Sequence, residues 1–449
     1  FVSANGNWQV GTNNEGNGTS SNQFYFYDGS YRLTVQKGGN VGVGTAAPGD
    51  KLDVNGNLIW AKEMGGNLSQ EVAARSYTIP RSQLDQRGWS LERPEVASMM
   101  KKIQSVGRPL AEYGQLKPFR GILTGYNEAF LIEDGIRNRW AEESPKSLEL
   151  LKPALKGTYI KRWSVAPEPL WLLVIPSSRE WNWPWRNLGE VEAEKAFGHH
   201  YPSVYKHLKG FEVRLRARRD RGRNWWELRA CSNYGLFERP RIVHTDIAWN
   251  SRFALCRSPL YSVNTAYLWP SDDPYLLAVA NSPMMWSYMW RNAVHAKDEA
   301  LRLIHGFVSQ MPIAAPSRRV QELCAEDVPQ LVALSGEVHQ IWGRFRKGLL
   351  SSHDFVRVPK VLGEPNIVHA QEFVRHIKRG LRSRVSSEEE LGKTREAYKD
   401  ISSDISRLLE PMAQLERRVC GAVHEAYDLS REELELMWQS APPRMPLVR

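Results

Sequence analysis

The sequence has no apolar run long enough to span a membrane, no secretory signal and few cysteines. Its four cysteines, at 231, 256, 324 and 420, form no Cys-x-x-Cys, and none lies beside a histidine pair at zinc spacing. These absences argue against a membrane protein, a disulfide-stapled secreted domain and a zinc site. They predict a cytoplasmic protein with reduced, buried thiols. His199, His200 and His207 lack surrounding carboxylates, so we expect a surface loop there.

The chain of 449 residues carries a formal net charge of +10. Residues 1–70 hold four basic and five acidic residues, so the positive excess lies in the remainder. A basic balance favours a polyanionic partner. Many enzymes of this length are equally basic, however, so only the distribution of the charge along the chain can indicate whether the partner is a nucleic acid. Residue 1 is Phe, and we expect the chain to be a fragment or a processed product.

Residues 1–60 differ from the rest because Gly, Asn, Ser and Thr dominate and charges are few. Residues 23–35 predict a β-hairpin whose turn is Asp28-Gly29. Residues 40–56 resemble a repeat of phage tail fibres and bacterial surface fibres. That resemblance implies short strands that are stable mainly in trimers. A structural fibre protein is therefore one alternative function. Residues 61–76 predict a polar linker, which separates this segment from the body of the chain.

Residues 121–133 predict a strand, a tight glycine-containing loop and a second strand, with polar groups displayed at the turn. Residues 151–163 follow as a basic loop that ends in Trp163. Further along, residues 94–106, 190–197, 201–219 and 273–291 predict helices, the last interrupted by Pro283. Strands are predicted over residues 171–176, 240–244, 252–256 and 265–269, and residues 310–316 predict an exit strand and linker.

These segments contain five ordered motifs that resemble the TaqI-like C-terminal specificity (target recognition) domain of adenine-specific restriction-modification methyltransferases. That family includes the fused type IIG enzymes and the PglX-type methyltransferases. The motifs are Arg120-Gly121 with Thr124-Gly125-Tyr126-Asn127-Glu128-Ala129-Phe130; Leu151-Lys152-Pro153, Lys156-Gly157 and Ile160-Lys161-Arg162-Trp163; Trp225-Trp226-Glu227-Leu228-Arg229; Phe237-Glu238-Arg239-Pro240-Arg241-Ile242-Val243; and Leu276-Leu277 with Asn281-Ser282. The family usually has a charged pair where this chain has Thr158-Tyr159.

The resemblance implies an α+β fold, with a mixed-sheet recognition domain over residues 77–316 and an all-helical C-terminal module over residues 317–449. It implies sequence-specific binding of double-stranded DNA on behalf of an adenine-N6 DNA methyltransferase, with or without a fused nuclease, in phage defence. An RNA-binding module is a further alternative.

The chemistry of such a methyltransferase is missing from this sequence. There is no glycine-rich loop for S-adenosylmethionine and no Asn/Asp-Pro-Pro-Tyr/Phe motif to hold a flipped adenine. Asn281-Ser282-Pro283 lacks the second proline and the aromatic residue. No nuclease pattern of spaced acids followed by Glu-x-Lys is present either. We therefore expect no cofactor in this chain. The resemblance places S-adenosylmethionine and catalysis in an upstream methyltransferase domain of the intact protein.

The candidate DNA contacts combine a dense basic run with the loop of the first motif. Residues 214–223, the arginine segment, hold six arginines, and guanidinium groups match phosphate oxygens. A solvated helix face is the alternative for this run, and ordinary surface charge is the alternative for the lysines near residue 156. Asn127 either contacts an adenine edge or satisfies its own turn. Trp183 or Trp185 is expected to be exposed for stacking. The predicted DNA-binding residues are Arg120, Thr124, Tyr126, Asn127, Lys156, Lys161, Arg162, Arg214, Arg216, Arg218, Arg219, Arg221 and Arg223.

The C-terminal third predicts helices over residues 325–346, 371–384 and 388–427. The last of these carries a heptad seam over about four repeats, which Pro411 is expected to kink or split. Ser430 and Glu433 predict a capping box at the start of a final helix. Residues 358–367 predict a short strand pair.

Overall fold

The computed structural model describes residues 92–231, 233–353, 355–365, 367–381 and 388–446, and before residue 92 it describes only the backbone of short strands. The chain divides into two compact units, Phe1–Lys101 and Lys102–Arg449. The predicted helix at the division is present as Pro94–Val106. The predicted linker, residues 61–76, lies outside the described residues.

The first unit contains a five-stranded sheet with the strand order β3-β4-β5-β6-β7. β4 and β5 pair antiparallel with Gln23 opposite Gln36, which confirms the predicted hairpin. The predicted Asp28-Gly29 turn lies outside the described residues. The strands of this unit are β1 (Val2–Ser3), β2 (Gly6–Asn7), β3 (Gln9–Asn13), β4 (Gln23–Tyr27), β5 (Tyr31–Gln36), β6 (Val41–Val43), β7 (Leu52–Val54), β8 (Leu58–Trp60), β9 (Tyr77–Ile79), β10 (Leu84–Asp85) and β11 (Gly88–Trp89).

The second unit contains two four-stranded sheets, ordered β13-β21-β17-β19 and β14-β16-β15-β20. The first is antiparallel, whereas β15 and β20 of the second run parallel, so the unit has mixed sheets. Its strands are β12 (Arg108–Pro109), β13 (Phe119–Arg120), β14 (Leu131–Glu133), β15 (Leu151–Leu155), β16 (Leu170–Leu173), β17 (Arg241–Thr245), β18 (Ile247–Ala248), β19 (Phe253–Cys256), β20 (Tyr261–Ser262), β21 (Ala266–Trp269), β22 (Val294–His295), β23 (Leu301–Arg302) and β24 (Pro312–Ile313).

Helices surround these sheets and make up the end of the chain, which confirms the predicted α+β class. The α-helices are Leu110–Tyr113, Asn127–Phe130, Asp134–Glu143, Glu190–His200, Pro202–Lys209, Glu212–Arg216, Pro274–Asn281, Pro283–Asn292, His305–Val308, Arg318–Ser352, Ala370–Gly380, Glu388–Ala426 and Arg431–Gln439. Short 3-10 helices are Pro145–Leu150, Gly157–Tyr159, Tyr234–Glu238, Lys297–Glu299 and Lys360–Leu362.

Several predicted elements differ from the structure. The loop between the strands near residues 120 and 131 contains a one-turn helix, Asn127–Phe130, which begins after the extended residue Tyr126. The helix predicted over residues 201–219 is two helices that separate at Gly210. The strand pair predicted for residues 358–367 is wrong, since Lys360–Leu362 forms a 3-10 turn after Pro359.

Two long helices, Arg318–Ser352 and Glu388–Ala426, pack against each other in the C-terminal region. The predicted seam is buried at Ile405, Val419 and Ala422. The second long helix continues through Pro411, so the expected split does not occur. Ser430 and Glu433 form the predicted capping box of Arg431–Gln439.

Candidate nucleic-acid interface

Residues 124–127, the turn segment, contain polar side chains of the first motif. Gly125 has a φ of 68°, a left-handed conformation that glycine adopts without strain. The Thr124 hydroxyl donates to the Asn127 side-chain oxygen at 2.6 Å and accepts from the Tyr126 amide at 3.2 Å. The oxygen of Asn127 therefore already accepts one hydrogen bond within the turn, as the alternative role for this residue requires.

Arg218 joins the turn segment to the arginine segment. Its guanidinium donates to the carbonyl oxygens of Thr124 at 2.6 Å, Trp225 at 2.6 Å and Glu227 at 2.9 Å. Its Nε also donates to Leu215 O at 3.2 Å. Only 7% of the residue is exposed, and burial lowers the pKa of Arg218 to about 10, so it stays charged at neutral pH. Arg218 is therefore an internal tie, with its donors turned away from any phosphate.

The close approach of Arg218 explains the glycine of the turn. A Cβ atom on Gly125 would lie 2.9 Å from Arg218 Cδ, closer than a side chain tolerates. One buried guanidinium thus brings together the two predicted groups of DNA contacts, the turn segment and the arginine segment. Arg214 adds a second contact, with its guanidinium 5.5 Å from the ring centroid of Tyr126.

The other predicted arginines of the segment have different environments. Arg216 pairs with Glu190, Glu194 and Glu212 at 2.6, 3.3 and 2.8 Å. Arg223 donates to the backbone oxygens of Arg186 and Leu188.

Arg214, Arg219 and Arg221 are exposed, and within the described chain none of them has an ion pair with a carboxylate. Three of the six arginines are therefore available to a polyanion.

The second basic group belongs to residues 160–164, the docking loop, which contacts the C-terminal helices. Lys161 pairs with Glu364 at 3.0 Å, and its side chain is 14% exposed. Arg162 pairs with Glu416 of the second long helix and donates to Asn281 O at 3.1 Å. Lys161 and Arg162 therefore connect the docking loop to the C-terminal region, and both are paired with carboxylates of that region.

Two further contacts hold the docking loop in place. The Trp163 indole donates to Glu416, and the Ser164 hydroxyl lies 2.8 Å from the hydroxyl of Ser335 in the first long helix. Burial alone would raise the pKa of Glu364, but a hydrogen bond from His339 and the charges of Lys161 and Arg252 outweigh it and lower the pKa to about 2. This carboxylate is therefore ionised wherever the protein is folded near neutral pH.

Arg120 and Lys156 lie beside a third feature, the turn at Asn264 and Thr265. Arg120 Nε donates to Asn264 O at 3.1 Å, and the amide of Gly157, next to Lys156, donates to the Thr265 hydroxyl at 3.1 Å.

Sequence reasoning missed Asp246 and Arg302, which complete this region. Arg302 contacts the Asp246 carboxylate at 2.9 and 3.2 Å. They are 56 positions apart in the sequence, so no local pattern could have revealed the pair.

The tryptophans are mainly core residues. Trp185, expected to be exposed, is fully buried and donates to Glu227 at 2.9 Å, so that expectation was wrong. Trp183 is partly buried and stacks on Trp185 with ring centroids 4.9 Å apart. Of Trp181, Trp183 and Trp185, it is instead Trp181 that is exposed, at 49%. Most of the tryptophans are buried rather than exposed for stacking, because indole rings remove more apolar area from water than other side chains.

Three of the cysteines, Cys256, Cys324 and Cys420, are buried, and Cys231 is partly exposed; all four are free thiols. Over the residues that the structure describes, no group of three or more His, Cys, Asp or Glu side chains is arranged to hold a metal ion. No helix in the same residues combines the length and apolarity needed to cross a membrane.

Comparison with solved structures finds two restriction enzymes among the similar chains. The type IIL restriction-modification enzyme MmeI, solved in complex with DNA, aligns with 74% of this chain at 12% identity and a TM-score of 0.38. The type IIG restriction endonuclease BpuSI aligns with 74% at 13% identity and a TM-score of 0.34. The chain spans 36% and 35% of their lengths. Both similarities are too weak to assign a function. No protein-family model and no curated protein sequence matches this chain.

Proposed function

We propose that this chain binds double-stranded DNA in a sequence-specific manner, as the target recognition part of an adenine-N6 restriction-modification methyltransferase. The observation that carries the proposal is the joining of the turn segment to the arginine segment by Arg218. A rigid turn with polar side chains then stands beside exposed guanidinium groups. That combination suits a surface that binds the phosphates of a polyanion and also discriminates among its bases.

The exposed arginines supply the sequence-independent part of the affinity. Arg214, Arg219 and Arg221 carry three charges with no carboxylate partner in the described structure. Guanidinium groups bind phosphate oxygens in bidentate fashion, and each neutralised phosphate releases counterions. Five other basic residues are not included in this surface, because each already donates to carboxylate or carbonyl oxygens of the protein: Arg216, Arg218, Arg223, Lys161 and Arg162.

The turn segment supplies the sequence-dependent part. Tyr126 and Asn127 are partly exposed, and an Asn carboxamide matches the major-groove edge of adenine. The Thr124 hydroxyl holds the carboxamide in one orientation, which reduces the entropy lost on binding. Thr124 itself is buried, so its role is to position Asn127.

Catalysis and the cofactor belong elsewhere in this proposal. The chain alone neither methylates DNA nor binds S-adenosylmethionine, because it lacks both the cofactor loop and the flipped-adenine motif. An upstream methyltransferase domain in the intact cytoplasmic protein provides both.

The test is fluorescence anisotropy with labelled duplexes, after the preferred site has been selected from a random library. We expect tighter binding to the selected DNA duplex than to an RNA duplex of the same sequence. Asn127→Ala should weaken binding to the selected site by about 1–3 kcal/mol and leave random DNA almost unchanged.

Asn138→Ala is the matched control, since Asn138 is an exposed asparagine on the helix Asp134–Glu143. Equal affinity for RNA and DNA would favour the RNA-binding alternative. Calorimetry showing micromolar binding of S-adenosylmethionine would overturn the expected separation of reader and catalyst.

A further inference from the structure

Asp246 holds two arginines from distant parts of the second unit. Its carboxylate contacts Arg302 Nε and a terminal nitrogen at 2.9 and 3.2 Å, and it lies 3.5 Å from a terminal nitrogen of Arg120. The Asp246 side chain is only 11% exposed, whereas those of Arg120 and Arg302 are 43% and 40% exposed. The carboxylate is thus inside, and the two guanidiniums extend from it toward solvent. We call these three residues the two-arginine cluster.

The backbone fixes the carboxylate on both sides. The Asp246 amide donates to Thr265 O at 3.1 Å, and its carbonyl accepts from the Leu303 amide at 2.8 Å. Asp246 directly follows β17, so it is held at the end of a strand in the four-stranded antiparallel sheet. A carboxylate anchored in this way orients whatever pairs with it.

Each arginine is restrained a second time. Arg120 donates its Nε to Asn264 O at 3.1 Å and lies 6.0 Å from the ring centroid of Tyr267. Arg302 lies in the middle strand of the three-stranded sheet β18-β23-β22, directly between Ile247 and Val294. Directly opposite residues of a sheet share one face, so these two apolar side chains, 42% and 64% exposed, flank the stem of Arg302.

The remaining donors of the cluster are free to bind a ligand. Two guanidiniums against one carboxylate leave one positive charge. In Arg302, one terminal nitrogen has no hydrogen-bond partner among the described residues. The same is true of one terminal nitrogen of Arg120. Pre-oriented N–H donors of this kind match the O6 and N7 acceptors of guanine, which are read together by a single arginine.

The position of the cluster along the chain allows it to share one duplex with the turn segment. Thr124 is four positions after Arg120, so their Cα atoms are at most about 14 Å apart even in a fully extended chain. That distance corresponds to about four base pairs of DNA, at roughly 3.4 Å each. The two features are close enough to contact neighbouring bases of one site.

We propose that the two-arginine cluster is a guanine-recognition site, in which Arg302 contacts the base, Asp246 positions both arginines and Arg120 supports the contact from the side. This inference rests on the proposed function, since it presupposes a bound DNA duplex. It adds Asp246 and Arg302 as determinants of specificity, whereas the exposed members of the arginine segment provide affinity.

The experiment is selection of preferred duplexes from a random library by the full chain and by Arg302→Ala, Arg302→Lys and Asp246→Asn variants. Wild type should select guanine at one position at which Arg302→Ala loses about tenfold or more of its preference. Arg302→Lys keeps the charge but lacks the planar fork, so it should lose the guanine preference as well. Asp246→Asn should weaken that preference while binding to random DNA persists. Thermal melting identifies any variant that fails to fold. If Arg302→Ala does not fold, the guanine preference of Arg302→Lys, the most conservative variant, tests the inference.

Arg431→Ala is the control, because Arg431 is an exposed, carboxylate-paired arginine on the final helix. An unchanged consensus in folded Arg302→Ala and Arg302→Lys would overturn the inference while leaving the proposed function intact. An unchanged consensus with a salt slope reduced by about 0.9 would identify Arg302 as a phosphate contact instead. If wild type binds no duplex at all, the proposed function fails, and this inference fails with it.

Discussion

The docking loop and the arginine segment are both short and basic, yet the structure uses them differently. Lys161 and Arg162 of the docking loop meet Glu364 and Glu416 more than 200 residues away. In the arginine segment, Arg218 is buried under the turn, and Arg219 has no ion-pair partner in the described structure. A run of positive charge therefore does not define a role. The partners that the fold supplies to each side chain decide whether it ties elements together or is available to a ligand.

The largest expected effect comes from breaking the internal tie. Arg218→Ala removes four hydrogen bonds to carbonyl oxygens. The oxygens of Thr124 and Trp225 lose the guanidinium as their donor, whereas those of Leu215 and Glu227 keep the backbone amides of residue 218 and Gly222. We expect a loss of about 3–5 kcal/mol in the free energy of unfolding, measured by urea denaturation. Arg219→Ala, one residue away and exposed, should change stability by less than about 0.5 kcal/mol. Equal stability of the two variants would show that Arg218 does not hold the turn segment to the arginine segment.

The sequence alone could not predict that Arg218 is buried while its neighbour Arg219 is exposed. The segment and its basic character followed from the residues alone, as did the β4–β5 hairpin and the Ser430 capping box. These features depend on neighbours within a few positions, as in Ser430 and Glu433. Which arginine turns inward depends instead on Thr124 O and Trp225 O, supplied by other segments. For the same reason the Asp246–Arg302 pair and the Lys161–Glu364 pair carried no local signal.

The docking loop offers the next test. Glu416→Ala removes the acceptor of both the Arg162 guanidinium and the Trp163 indole. The partly buried Arg162 cation and the buried Trp163 N–H left behind should cost about 2–4 kcal/mol in the free energy of unfolding. Glu410→Ala, on the exposed face of the same helix, is the matched control. If both variants melt like wild type, the docking loop does not depend on this carboxylate.

A smaller effect concerns pH. The folded-state pKa of Glu364, about 2, lies below its ordinary value of 4.5, so its contribution to stability is present above pH 4.5 and is lost as the pH falls toward 2. Glu364→Gln should therefore be less stable than wild type at neutral pH by on the order of 2 kcal/mol, with the two curves converging below pH 4.5. Parallel stability curves for the two proteins between pH 7 and 2 would contradict the assigned ion pairs.

The salt dependence of duplex binding tests most directly whether the exposed arginines contact DNA phosphates. Anisotropy titrations at several salt concentrations give the slope of log K against log salt for wild type and for the Arg214→Ala, Arg219→Ala, Arg221→Ala triple variant. Each lost phosphate contact should reduce the magnitude of the slope by about 0.9, so the triple variant should fall by up to about 2.7. Its unfolding free energy should stay near the wild-type value, because none of the three pairs with a carboxylate in the described structure. A folded triple variant with the wild-type slope would contradict the account, since the arginine segment would then be only a solvated surface.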